Sequence, residues 1–153
     1  MSGLFYFCIM PKQFTLGKNE RLKSRKQIEK LFAEGKSFVV SPFRIYFLVN
    51  SVPIAIGRSM VNEKSSLQFG VGVSAKNFKR AVDRNRIKRL TREAWRLQKN
   101  ELKEKMKTKG KQLNVFFIYT GKELPDFTEV KSKVAVVLKK LLNKIDENNS
   151  PNS

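Results

Sequence analysis

A chain of 153 residues that is 41% hydrophobic has the length and apolar content for one domain around one modest core. Its charge is the outlying feature: 32 Lys+Arg against 13 Asp+Glu give +19 and a pI near 10.3, which calls for a polyanionic partner, nucleic acid ahead of an anionic membrane or an acidic protein. The absence of histidine and the single cysteine, Cys8, exclude a structural zinc site, an internal disulfide and any Ser-His-Asp or Cys-His catalytic arrangement, and the lone thiol suits a reducing, cytoplasmic setting.

The apolar run at residues 4–10 lacks the charged lead and the small-residue cleavage site of a secretory signal. No later run approaches the ~20 apolar residues that span a bilayer. Residues 1–13 read as a flexible extension, of which 1–9 is either a real tail or a mis-assigned start, since Met10 is a second start codon. Ser24 then stands as the N-cap of a helix over residues 25–34, with Ile28, Leu31 and Phe32 at helical spacing and Gly35 as its left-handed stop. Residues 37–52 are rich in Phe, Val, Ile and Tyr, interrupted at Ser41-Pro42, and 43–49 reads as a strand. A second strand over 52–61 is weakened by Pro53 and Gly57, and residues 62–66 form a polar turn. Leu67, Phe69, Val71 and Val73 alternate with Gly70 and Gly72 among the residues between them, a strand approached closely by backbone on one face.

A long helix is expected over residues 79–107, ending near Gly110, followed by a continuous and hence well-buried strand at 113–119. A turn at 121–125 leads to a final helix from Phe127 or Thr128, with Val130, Val134, Val137, Leu138, Leu141 and Leu142 on its apolar side. Residues 146–153, polar and Asn-rich, read as a disordered tail, leaving 14–145 as the folded domain. The order α-β-β-β-α-β-α makes this an α+β, single-domain sandwich, helices on a mainly antiparallel sheet, with a parallel pairing expected across the long helix.

Residues 79–99 hold nine cations and two acids, a net +7. At 100° per residue Ile87, Leu90, Ala94 and Leu97 share a narrow stripe for packing, while Arg84, Lys88, Arg89, Arg92, Arg96 and Lys99 fall on a broad opposite arc with Asn85 and Trp95 among them. An ordinary solvated face would interleave acids at i,i+4. Adjacent arginines at this density repel unless phosphates neutralise them, and the planar guanidinium suits phosphate through two parallel hydrogen bonds. This face is therefore the candidate nucleic-acid contact, with Asn85 able to reach a sugar or a base.

A catalytic centre is not expected in the chain. A metal-dependent nuclease needs several carboxylates converging on its ions, yet Asp83 and Glu93, the acids of this helix, lie ten positions apart, roughly 15 Å along the axis. Asp83 reads instead as a complement to the helix dipole.

The run AVDRNRIKRLTREA, residues 81–94, resembles the signature of the bacterial ribonuclease P protein subunit, a helix centred on Arg-Asn-Arg followed by further cations. Phe14, Arg21-Leu22 and the Leu31-Phe32…Gly35 helix end are similar to that family's N-terminal segment, and residues 69–74 to the strand leading into its helix; in all, residues 14–142 can be laid along the pattern. The resemblance implies an α/β sandwich with a left-handed βαβ crossover, against the general right-handed rule. It implies a subunit of an endoribonuclease holoenzyme, partnered with the catalytic ribonuclease P RNA and with precursor tRNA, whose 5′ leader is removed. The chemistry would belong to Mg²⁺ held by the RNA, with no cofactor on the protein, no membrane and no obligate protein partner. Carried over by position, Arg84, Asn85, Arg86, Lys88, Arg89 and Arg92, with Lys76 and Arg96, would contact RNA, and Phe32, Phe43 and Tyr46 would wall a cleft for the single-stranded leader; plain core packing is the competing role for these three rings. Ile28 stands where the family often has a second cleft aromatic, Ser74-Ala75-Lys76 has one cation fewer than the usual Ser-Lys-Lys, and residues 51–66 are longer than the shortest members have. A ribosomal protein or RNA chaperone is the alternative class; a DNA-binding regulator would show a helix-turn-helix neighbour or a dimer seam.

Overall fold

The computed structural model of the protein describes residues 20–51 and 67–147. Its elements are α1 (Arg25–Glu34), β1 (Lys36–Val40), β2 (Phe43–Ser51), β3 (Leu67–Val73), α2 (Ala81–Gln98), α3 (Asn100–Thr108), β4 (Lys111–Tyr119) and α4 (Phe127–Glu147). The fold is α+β, as expected. The expected strand at 52–61 lies outside the described residues, as do the extension at 1–13 and the turn at 62–66. Residues 36–40 supply a separate strand before the Ser41-Pro42 interruption, whose peptide bond is cis.

The strands form one sheet in the order β1-β2-β4-β3. The β1–β2 and β2–β4 pairs are antiparallel, and β3–β4 is parallel, connected through α2 and α3. Leu67, Phe69 and Val71 on β3 face the same way as Leu113, Val115 and Phe117 on β4 and Phe47, Ile45 and Phe43 on β2, and all are buried. On this face Trp95 of α2 stacks on Phe69 (4.6 Å, 12°) and meets Phe117 edge-on at 5.5 Å. Met106 and Leu102 of α3 and Val130, Val134, Val137, Leu141 and Ile145 of α4 complete the core. The opposite face is covered by α1 alone among the helices of the described residues, through ring contacts of Phe32.

Several local expectations change. The long helix is two helices, divided at Lys99, whose backbone stays close to helical (φ −72°, ψ −18°). Of the expected stripe Ile87 and Ala94 are buried, but Leu90 and Leu97 are only half-buried and Thr91 and Trp95 complete the buried arc instead, because α2 packs against both the sheet and α4 and must bury a wider sector. Gly35 is extended (φ −72°, ψ 159°), not left-handed: the chain leaves α1 directly into β1, and a Cβ there would lie 2.3 Å from the Leu31 carbonyl oxygen. Ser24 holds the N-cap position without a side-chain capping bond. The left-handed glycine is Gly110 (φ +64°), which ends α3. At the C-terminus α4 runs through Asp146 and Glu147, so the first two residues of the expected tail are helical.

Candidate nucleic-acid interface

The segment between β3 and α2 is fastened to the exit of β4. Asn77 donates its amide to the carbonyls of Thr120 (3.3 Å) and Gly121 (3.5 Å), and buried Phe78 rests beside the Tyr119 ring at 5.9 Å. Lys76 is exposed on this loop, its backbone N–H donating to Ser74 Oγ. Along α2, Asn85, Arg86, Arg89 and Arg92 are exposed and Lys88 is half-buried, so five of the expected contacts share an accessible sector. Among the described residues no ion pair joins Arg86, Lys88, Arg89 or Arg92 to an acid.

Three cations of the expected arc are placed otherwise. Arg84 is half-buried and turns back on the loop, its Nη1 donating to the carbonyls of Phe78 (2.7 Å) and Lys79 (2.9 Å). Arg96 is half-buried in a two-point pair with Glu93, whose hydrogen bond raises its pKa further. Lys99, 1% exposed, leaves the surface entirely: its ammonium donates to Glu20, which also receives Lys103. Burial pushes Lys99 down from an ordinary lysine while the Glu20 hydrogen bond works against that. Burial likewise pushes Glu20 up, but the hydrogen bonds from Lys103 and Lys99 together outweigh it and hold the carboxyl below its usual range. Trp95, placed on the basic arc by angle, is fully buried for the packing reason given above.

The acids do not converge. Glu29 pairs with Arg25, Glu34 with Lys30, Glu93 with Arg96, Glu20 with Lys99 and Lys103, and Asp146 with Lys105 and Lys109. Among the described residues no three acidic or cysteine side chains are grouped to hold a metal ion.

The face of the sheet under α1 is chemically different. Arg44, Tyr46 and Leu48 of β2 lie across from Ile118, Phe116 and Asn114 of β4, which in turn face Gly72, Gly70 and Gln68 of β3. Phe32, 40% exposed, projects from α1 edge-on to both Tyr46 (4.7 Å, 86°) and Phe116 (5.4 Å, 77°). The Arg44 guanidinium carbon lies 5.8 Å from the Tyr46 ring centre. Gly70 and Gly72 are required here by close approach: a Cβ on either would meet the Phe116 ring, at 2.6 and 3.2 Å. Phe32 and Tyr46 thus come together as expected. Phe43 does not join them; it is 0% exposed on the helix-covered face, against Phe117 and Tyr119. Odd and even residues of a strand point to opposite sides, so Phe43 and Tyr46, three apart, cannot share a face. Phe116, itself half-buried, joins Phe32 and Tyr46 on this face; the sequence conceals it, because 113–119 is apolar at nearly every position and shows no alternation, and the two glycines on the neighbouring strand are the available signal.

A family model described as Ribonuclease P matches residues 16–142. The ribonuclease P protein component of Porphyromonas gingivalis is 41% identical over 120 residues, covering 78% of this chain and 81% of that protein. That of Chlorobium phaeobacteroides is 30% identical over 128 residues, covering 79% and 84%. Among solved structures, the RNase P protein from Thermotoga maritima superposes with a TM-score of 0.59 at 27% identity, over 79% of this chain and 96% of that one. The RNase P protein of Staphylococcus aureus gives 0.59 at 21% identity, a likeness of fold.

Proposed function

The chain belongs to the ribonuclease P protein family, partners of ribonuclease P RNA in an endoribonuclease holoenzyme that processes tRNA, and from that premise we propose how its two accessible faces divide the work. The exposed side of α2, with Asn85, Arg86, Lys88, Arg89 and Arg92, binds the phosphate backbone of the catalytic RNA; each neutralised phosphate releases counterions, so binding weakens with salt. The rings of Phe32, Tyr46 and Phe116 receive the single-stranded 5′ leader of precursor tRNA. Stacking there tolerates any base and contributes about 1–3 kcal/mol per base, which suits a surface that must accept many leaders.

One sheet separates the two chemistries: the half-exposed rings lie under α1, while α2, on the other face, turns its cations outward. That separation supports simultaneous contact with two RNA segments. The paired and scattered carboxylates of the described residues support a non-catalytic role, with water activation assigned to Mg²⁺ held by the RNA. The protein then needs no cofactor of its own and no second protein, and it acts in the cytoplasm. No helix among the described residues is long and apolar enough to cross a membrane.

The test is 5′-leader cleavage of a precursor tRNA at low Mg²⁺, with ribonuclease P RNA and this protein added singly and together. Efficient cleavage only with both is expected. Cleavage by the protein alone would move the chemistry into this chain, and no stimulation of the cognate RNA would return it to the ribosomal or chaperone class.

A further inference from the structure

We infer that Arg84 is a positioning residue rather than a phosphate contact: it clamps the loop before α2, so that Lys79, Arg80 and the first turn of the helix meet RNA in a fixed register. This rests on the RNA-binding role proposed for α2. The side chain runs backward from the fourth residue of the helix, and both protons of Nη1 are spent on the carbonyls of Phe78 (2.7 Å) and Lys79 (2.9 Å). Its backbone N–H bonds to the Arg80 carbonyl at 3.3 Å, so one residue closes on three successive positions of the loop. Asn85, Arg86, Arg89 and Arg92 are exposed, whereas Arg84 is half-buried.

The loop needs such a clamp. Asn77 and buried Phe78 anchor its start to the end of β4, but Arg80 at the N-cap makes no side-chain capping bond. A cation this close to a helix N-terminus opposes the helix dipole, a cost that contact with two carbonyl dipoles offsets. Lys76, Lys79 and Arg80 are all exposed on this segment, so its conformation decides where three cations stand.

The discriminating variants are Arg84→Lys, Arg84→Gln and Arg86→Gln, compared in salt titrations of binding to ribonuclease P RNA. A phosphate contact would be largely rescued by lysine, which keeps the charge, while glutamine would lower the salt slope by roughly 0.7–0.9. A clamp is not rescued: lysine is one bond shorter and lacks the planar fork, so both Arg84 variants should weaken binding roughly tenfold and flatten the slope alike. In the free protein, amide exchange should accelerate over residues 76–83 in both Arg84 variants, stay unchanged in β4, and stay unchanged throughout in Arg86→Gln. Wild-type affinity and slope in Arg84→Lys, with Arg86→Gln impaired, would overturn the clamp alone; so would exchange spreading into β4, because the role is local. An Arg86→Gln protein that binds RNA as the wild type does would overturn the RNA-binding role beneath it, with the exchange arm still reporting on the clamp.

Discussion

Replacing Phe116 by alanine should cost both stability and leader recognition, and the two losses can be read separately. The ring is half-exposed, stands edge-on to Phe32 at 5.4 Å and lies over Gly70 and Gly72. Truncating a fully buried phenylalanine costs about 3–5 kcal/mol; for a half-buried ring roughly half applies, about 2 kcal/mol, which lowers the melting temperature of a domain this size by about 4–8 °C. Losing one stacked base costs about 1–3 kcal/mol, which is about 5- to 150-fold in affinity. That second loss falls only on RNA that carries a leader. The assay is equilibrium binding of precursor and mature tRNA to the holoenzyme reconstituted with ribonuclease P RNA, at a temperature where the variant is fully folded. The preference for precursor over mature tRNA should shrink by that factor, and Tyr46→Ala should behave similarly. Phe43→Leu, in the buried core on the opposite face, should lower the melting temperature and leave the preference intact. An equal loss for both RNAs in Phe116→Ala, or a preference that moves with Phe43, would refute the assignment of the leader to this face.

Two further predictions concern the packing that supports these surfaces. Glu20→Gln removes the carboxylate that receives buried Lys99 and Lys103 and should destabilise the domain by about 3 kcal/mol at pH 7, the lower end for a broken buried pair because Lys103 keeps access to solvent. The folded carboxyl lies below its ordinary range, so its contribution is present above the unfolded value and disappears as pH falls through the folded one; urea titrations should show wild type and variant converging in acid, and a gap independent of pH would contradict this. Gly70→Ala should cost about 1–3 kcal/mol and weaken leader preference, since its Cβ would lie 2.6 Å from the Phe116 ring and 3.3 Å from the Leu22 carbonyl oxygen. Gly72→Ala, at 3.2 Å from the ring alone, should cost less; thermal melts in the reverse order would be inconsistent with the geometry.

What was legible in the sequence is what local periodicity and composition control. The helix at 25–34 and the start and apolar side of the one from 127 follow from their apolar spacing, β3 from strict alternation, and the cation-rich sector of α2 from the scarcity of acids among its arginines. The α+β class and the parallel pairing across the crossover follow from the order of those elements. What was not legible depends on which neighbour covers which side. Angle alone sets Trp95 and Lys99 among the surface cations, but α2 is packed by both the sheet and α4, and Glu20, some eighty positions away, draws Lys99 inside. Phe43 and Phe116 look equivalent as phenylalanines in apolar strands. Only the assembled sheet, with α2, α3 and α4 on one face and α1 on the other, makes the first a core residue and the second a half-exposed ring. The same holds for Gly35 and Arg84: a glycine stop and an arginine in a basic helix are read one residue at a time, whereas their roles arise from the Leu31 carbonyl and the Phe78 and Lys79 carbonyls that the fold sets beside them. Sequence sets the chemistry a side chain can offer; tertiary contact decides whether solvent, a partner or the protein's own backbone receives it.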